Sequence, residues 1–129
     1  MASHHFIGKG TTSATLKAAI EDVPALSATI RGLVEDSGLR VVDEKQAGFP
    51  GGGITLVWIL AESHLVLHYW AEEGYSTLDL HVCDYDRSNA EKAAVLLRSL
   101  EEFCFAAGTA QWQELSMEDP APIPRAVPR

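Results

Sequence analysis

The strongest hydrophobic pattern in the chain lies between residues 54 and 83. Ile54–Leu60 is almost continuously apolar and contains β-branched residues, which predicts a strand covered on both faces. Leu65–Trp70 and Ser76–Cys83 predict two more strands, and the Glu- and Gly-containing segment Ala71–Tyr75 predicts the turn between them.

Polar and apolar residues alternate regularly in the last of these strands. Side chains of a strand point alternately to its two faces. One face therefore receives Leu78, Leu80 and Val82, and the other face receives Thr77, Asp79, His81 and Cys83. A polar face on such a strand either meets solvent or lines a site.

Helical periodicity flanks this region on both sides. The segment 12–39 predicts a helix interrupted near Pro24 and stopped at Gly38. Ser88 and Glu91 have the spacing of a capping box, which predicts a second helix running to about Phe105. Its expected buried stripe consists of Ala94, Leu97, Leu100 and Cys104.

Weaker signals complete the plan. Leu39–Glu44 and Thr109–Leu115 are strand candidates, and Gln46–Gly53 predicts a loop because it is rich in Gly. Residues 119–129 contain four prolines, so we expect an extended or disordered tail after a single domain of residues 1–118. Strands and helices in this order predict an α+β fold with helices on one face of a largely antiparallel sheet.

Charge and composition narrow the partners. The 129 residues carry 18 acidic and 10 basic side chains, for a net charge of −8, which disfavours a nucleic-acid partner. No apolar run approaches the roughly 18 residues of a membrane span, and the start lacks the pattern of a secretory signal. We expect a cytoplasmic protein that does not enter membranes, with Cys83 and Cys104 as free thiols.

The candidate chemistry is concentrated in one polar group of residues. Taken singly, each has a structural explanation, since a Ser after a strand is commonly a turn residue and a His between apolar residues is commonly packed. We expect no metal site, because His64 and His68 lie roughly 13 Å apart along one strand. The pattern alone gives a histidine-rich strand pair formed by Glu62, Ser63, His64, His68, Trp70, Glu72, Asp79, His81 and Cys83.

Two common catalytic motifs are missing from the sequence. Ser63 has no G-x-S-x-G context, so a nucleophile elbow is not indicated. The glycine run 51–53 lacks the Lys-Ser/Thr of a phosphate-binding loop and leads into a strand.

The order of the polar residues is more informative than the residues taken singly. The string Ala61-Glu-Ser-His-Leu-Val-Leu-His-Tyr-Trp70, followed by Glu72, Gly74, Asp79 and Cys83, closely resembles the prokaryotic S-adenosylmethionine decarboxylases. The likeness is strongest over residues 49–83 and extends weakly over about residues 3–116.

The resemblance implies a self-processing enzyme. The chain would cut itself between Glu62 and Ser63, and Ser63 would become a pyruvoyl cofactor that forms a Schiff base with the substrate. His68 would be the base of this processing, and Thr55, where the family commonly has Ser, would donate a hydrogen bond to the oxyanion of its first step. Cys83 would return a proton to the substrate after decarboxylation.

The resemblance also implies how the substrate is held. Phe49 and Trp70 would stack on the adenine of a small amino-acid-type substrate, S-adenosylmethionine, and Glu72 would bind its ribose. The family fold is a two-layer sandwich, and its homodimers build their sites where protomers meet. The pathway implied is spermidine synthesis.

Three departures from the family pattern leave the substrate open. After the N-terminal His the family usually carries acidic, aromatic and Cys residues, whereas residues 6–12 here are Phe-Ile-Gly-Lys-Gly-Thr-Thr. Ala71 replaces a Pro, and Asp84 replaces a Gly. Arginine or ornithine is therefore an alternative substrate for a pyruvoyl decarboxylase of the same fold. An uncleaved relative that only binds a ligand or partner is a further alternative.

Overall fold

One six-stranded sheet and three helices make up residues 1–120, the part of the chain that the computed structural model describes. Most of the proline-rich segment expected at 119–129 lies outside the described residues. The elements in chain order are β1 (Ser3–Thr11), α1 (Ala14–Ala19), α2 (Val23–Asp36), β2 (Val41–Gly48), β3 (Ile54–Leu60), β4 (Ser63–Trp70), β5 (Tyr75–Cys83), α3 (Ala90–Cys104) and β6 (Gln111–Met117).

The strand order is β2-β3-β4-β5-β1-β6, and every neighbouring pair is antiparallel. The buried residues of the strands share one face of the sheet, where they form a single core with the helices. The predicted α+β sandwich with helices on one face is therefore confirmed. None of the helices within residues 1–120 is both long and apolar enough to cross a membrane.

Trp58 shows how the sheet and the helices are joined. Its side chain is fully buried, and its indole N–H donates to the carbonyl oxygen of Ser27 in α2 at 3.3 Å. Leu56 and Leu60 point to the same side of β3 and are also buried. Burying each such side chain stabilises the fold by about 1.5–3 kcal/mol.

The open face of β3 corrects one prediction. The strand was expected to be covered on both faces, but Ile59 is 44% exposed and Thr55 and Val57 are only partly buried. The alternation in β5 is as predicted, with Leu78, Leu80 and Val82 in the core.

The sequence did not predict β1, which lies between β5 and β6 inside the sheet. Its glycines weaken the strand signal, yet they make room for two aromatic rings. A Cβ atom on Gly8 would lie 2.5 Å from the ring of Trp112, and one on Gly10 would lie 2.9 Å from the ring of Phe105. The residues that disfavour a strand prediction are therefore the ones that the packing requires.

The first predicted helix is two helices. The break comes before Pro24, because Asp22 caps α2 by accepting a hydrogen bond from the Ala25 N–H at 3.2 Å, and proline fits the first turn. Gly38, with φ of 97°, follows the end of α2 as expected.

The capping box predicted at Ser88 is wrong. The N-cap is Asn89, and Ser88 instead accepts a hydrogen bond from the Ala90 N–H at 3.2 Å. The buried stripe of α3 also differs in part from the prediction: Ala93 and Leu96 replace the expected Ala94 and Leu97, whereas Leu100 and Cys104 are buried as expected.

Two strand bounds also differ from the prediction. β2 continues through residues 46–48, which pair with β3, so the loop is confined to residues 49–53. The last strand begins at Gln111 rather than Thr109.

Candidate active site

The open face of the sheet carries two groups of polar and aromatic side chains. The histidine cluster consists of His5, His64, Asp79 and His81 and surrounds Ser63. The aromatic pocket consists of Phe49, His68, Trp70 and Glu72, with Thr55 bonded to His68. All eight residues proposed from the sequence for catalysis or binding lie in or beside these two groups.

Ser63 is in an unusual backbone conformation at the start of β4. Leu60 pairs with Ser63, so Ala61 and Glu62 form a two-residue hairpin turn. Such turns usually take positive φ inside the turn, at Gly or Asn. Here the positive value, 155°, falls on Ser63 itself. A non-glycine residue in this region costs about 1–3 kcal/mol, so local strain is placed beside the Glu62–Ser63 peptide bond.

The backbone of Glu62 is fixed by the neighbouring strand. Its carbonyl oxygen accepts a hydrogen bond from the backbone N–H of Cys83 at 2.9 Å. Its carboxylate accepts another from the backbone N–H of Arg40 at 3.1 Å. The carbonyl that precedes Ser63 is thus polarised by a donor held in the sheet.

Two histidine rings contact the Ser63 hydroxyl. Oγ lies 2.9 Å from Nδ1 of His81 and 3.3 Å from Nδ1 of His64. The pKa of His81 is lowered from 6.5, first by burial and then by the neighbouring His64 and His5, while Asp79 opposes the shift. The His81 ring therefore favours its neutral form, and in the tautomer protonated at Nε2 its Nδ1 accepts a hydrogen bond from the serine.

Asp79 links the remaining members of the histidine cluster. Its carboxylate lies 2.6 Å from Nε2 of His5 and 3.9 Å from Nε2 of His64. No group of three or more His, Cys, Asp or Glu side chains within residues 1–120 is arranged to hold a metal ion.

The aromatic pocket is a cavity of about 510 Å³ at the other end of β4. The ring centroids of His68 and Trp70 lie 4.0 Å apart, and those of Phe49 and His68 lie 5.7 Å apart. Both Glu72 and Glu73 line the cavity. The three residues expected to bind substrate therefore share one pocket with His68.

Thr55 and His68 are directly opposite each other on β3 and β4. Thr55 Oγ1 lies 2.5 Å from His68 Nδ1. Burial lowers the pKa of His68 from 6.5, so this ring also favours its neutral form, which is the form that takes up a proton.

A single chain does not bring every predicted site residue together. Cys83 follows Val82, the cross-strand partner of Ser63, and so lies beside the serine. His68 is in the same strand as Ser63 but five residues later, which separates the two by about 16 Å. Thr55 lies with His68 at the distant end.

Sequence reasoning assigned no role to His81 or His5 in this arrangement. The alternation of β5 placed His81 on the polar face, and this was the available signal. His5 reaches the cluster through the pairing of His5 with His81 between β1 and β5. That pairing was hidden because β1 was not predicted.

The fold and the open-face groups define a class of protein: a two-layer α+β sandwich with a strained serine at a hairpin and a separate aromatic pocket on the same sheet face. Within that class the chain belongs to the S-adenosylmethionine decarboxylase family, whose sequence model matches residues 9–113.

Individual relatives agree with this assignment. A protein of Methanococcus vannielii named S-adenosylmethionine decarboxylase proenzyme is 34% identical over 67 residues, covering 52% of this chain and 55% of the relative. A Prochlorococcus marinus protein of the same name is 35% identical over 81 residues, covering 63% of this chain and 64% of the relative. The chain thus spans between about half and two thirds of the length of these curated relatives.

A solved structure has the same fold. The crystal structure of the adenosylmethionine decarboxylase from Aquifex aeolicus superposes with a TM-score of 0.69 and covers 99% of this chain and 98% of the other. The sequences are 20% identical, so the comparison concerns the fold.

Proposed function

We propose that this chain is a proenzyme that cuts itself between Glu62 and Ser63, converts Ser63 into a pyruvoyl group and decarboxylates S-adenosylmethionine for spermidine synthesis. The observation that carries the proposal is the geometry of one peptide bond. Ser63 is strained, its hydroxyl is hydrogen-bonded to histidine, and the preceding carbonyl accepts a hydrogen bond from Cys83 N–H.

These contacts fit the first step of cleavage. The Ser63 hydroxyl attacks the Glu62 carbonyl carbon, and negative charge grows on the carbonyl oxygen. The Cys83 N–H, already at 2.9 Å, stabilises that charge. One positioned donor of this kind is worth about 3 kcal/mol of barrier. The peptide becomes an ester, and the backbone strain at Ser63 is released.

The later steps need further groups of this chain. His68, neutral and hydrogen-bonded to Thr55, removes the Cα proton of Ser63 so that the ester leaves. The pyruvoyl group, once formed, supplies a carbonyl that condenses with the substrate amine and accepts the electrons left by carbon dioxide. Cys83 is next to Ser63 on the open face, where its thiol returns a proton to the substrate.

The separation between Ser63 and His68 supports a homodimer. Ile7, Ile59 and Trp70 are 41%, 44% and 39% exposed on the open face. Packing two open faces in opposite directions buries these side chains and brings His68 of one protomer to Ser63 of the other. The site is then built from the histidine cluster of one chain and the aromatic pocket of its partner.

Co-expression of two inactive variants tests this arrangement. A chain with Ser63→Ala retains His68, and a chain with His68→Ala retains Ser63. We expect the His68→Ala chain to be cleaved when it is paired with the Ser63→Ala chain and to remain whole alone. If it remains whole in the mixture as well, His68 does not act across a dimer.

The aromatic pocket supports S-adenosylmethionine as substrate. A sulfonium cation gains from contact with the faces of Phe49 and Trp70, and Glu72 is placed for the ribose hydroxyls. The presence of both Glu72 and Glu73 in the cavity favours a second candidate, a basic amino acid such as arginine or ornithine. Two free cysteines support a reducing, cytoplasmic location.

Release of labelled carbon dioxide distinguishes these substrates. The purified protein is incubated separately with carboxyl-labelled S-adenosylmethionine, arginine and ornithine, and borohydride is added to a second set. We expect release, and covalent trapping on the chain that starts at residue 63, with S-adenosylmethionine. Release of carbon dioxide from arginine or ornithine alone would make that amino acid the substrate in place of S-adenosylmethionine. If none of the three compounds gives release or trapping, the result would favour the uncleaved binding protein.

A further inference from the structure

Among residues 1–120, the histidine nitrogen closest to the Ser63 hydroxyl is Nδ1 of His81, at 2.9 Å from Oγ. Ser63 pairs with Val82, which faces the core, whereas His81, the preceding residue of β5, pairs with His64 on the open face. The unusual φ of Ser63, 155°, accompanies the turn of its hydroxyl toward the open face and His81. The other candidate, His64, lies at 3.3 Å, and its side chain is 42% exposed.

We propose that His81 is the general base that takes the proton from the Ser63 hydroxyl in the first step of self-cleavage. This assignment rests on the proposed function and adds a catalytic residue to it. His81 contacts the reacting oxygen itself, and Cys83, two residues later in the same strand, donates its N–H to the Glu62 carbonyl.

The proton balance needs no further reactant. As Ser63 Oγ bonds to the Glu62 carbonyl carbon, its proton moves to Nδ1 of His81. The carbon–nitrogen bond then breaks, and His81 returns the proton to the departing nitrogen of Ser63. The products are an ester at Oγ and a free amine at Ser63, and His81 is again neutral.

The surroundings keep His81 ready to accept a proton. From β4, His64 faces it with ring centroids 5.3 Å apart, and from β1, His5 faces it at 5.2 Å. On its own strand, Asp79 and Cys83 lie two residues before and after it on the same face. Burial and the two histidines lower the pKa of His81, and Asp79 only partly offsets them.

The sign of the pH dependence follows from this. A base works only when unprotonated, so the first step stays at its plateau above about pH 6.5. It slows as the pH falls through the lowered pKa of His81. Removing the base lowers the plateau rate by about 10²-fold or more and abolishes the fall in rate at low pH, the acid limb of the profile.

The first step is measured directly with hydroxylamine, which cuts esters but leaves amides. Freshly translated full-length protein is incubated across a pH series with enough hydroxylamine that doubling it no longer changes the rate. Intact mass reports the fraction of chains broken between Glu62 and Ser63. The variants are His81→Gln, His64→Gln and His4→Gln, and His81→Ala is tested with added imidazole.

His4→Gln is the matched control, because His4 bonds Asp84 and lies outside the histidine cluster. We expect it and His64→Gln to keep the acid limb. His81→Gln should lose both the limb and the rate, and imidazole should partly restore His81→Ala. If wild type and His81→Gln have equal rates and equal acid limbs, His81 is not the base, and the proposed function stands. The same holds if His64→Gln loses the acid limb instead. If wild type is never broken, the proposed function fails and the assignment fails with it.

Discussion

Replacement of Cys83 by alanine separates two functions that one residue performs with different atoms. The backbone N–H donates to the Glu62 carbonyl oxygen at 2.9 Å, and alanine keeps this donor. The thiol is the proposed proton donor in decarboxylation, and alanine removes it. We therefore expect Cys83→Ala to cleave itself at the wild-type rate and to lose turnover.

The expected sizes differ by orders of magnitude. Cys83 is only partly buried, so truncating its side chain should cost about 1 kcal/mol of stability and lower the melting temperature by about 4 °C. Loss of a positioned general acid slows turnover about 10²–10⁴-fold, which is about 3–5 kcal/mol of barrier. The stability change is too small to explain such a loss.

The assay follows both reactions in one preparation. Intact mass gives the extent of self-cleavage, and labelled carbon dioxide gives turnover of the cleaved protein. Cys104→Ala is the control, because burial raises the pKa of the Cys104 thiol to about 12 and the side chain is inside the core. Normal turnover by Cys83→Ala would refute the proton-donor role, and loss of cleavage would refute the assignment of the oxyanion donor to the backbone.

Three further changes test other parts of the account. Gly8→Ala places a Cβ 2.5 Å from the Trp112 ring and should lower the free energy of unfolding in urea by about 1–3 kcal/mol. The control Gly32→Ala, in open space within a helix, should raise it slightly, and equal effects of the two variants would contradict the packing described for β1. Thr55→Val should slow pyruvoyl formation, followed by mass spectrometry, about 10²-fold, and Thr55→Ser should not. Similar rates in the Val and Ser variants would show that the hydroxyl is not needed. The pKa of Asp84 is lowered from 3.8, chiefly by the backbone N–H of Asn89, so Asp84→Asn should lower the melting temperature at pH 7. This difference in melting temperature should vanish as the pH falls through the lowered pKa of Asp84, and a difference that persists below it would refute the linkage.

The fold was predictable wherever the hydrophobic pattern coincided with the final packing. β5 buries alternate residues against the helices, so its periodicity reports the structure directly, whereas the continuous apolar run of β3 predicted a strand but not its open face. β1 was not predictable, because Gly8 and Gly10 are selected by contacts with rings far along the chain. Two of the four positions predicted for the buried stripe of α3 were placed one residue too late, because Ala93 and Leu96 are buried, whereas Leu100 and Cys104 were predicted correctly.

The site was predictable as a set of residues but not as an arrangement. The motif identified Ser63, His68 and Cys83, yet a linear pattern does not show that β4 holds the first two about 16 Å apart. Nor does it show that His81 contacts the serine, since that depends on the register between two strands. Three-dimensional register therefore supplied the base and the argument for a dimer.

The most direct measurement is the mass of the freshly purified chain. The account predicts two fragments, residues 1–62 and 63–129, with the second lighter than a serine-started fragment by one ammonia. A single species retaining all 129 residues and its full 14.0 kDa, even after prolonged incubation at neutral pH, would contradict it.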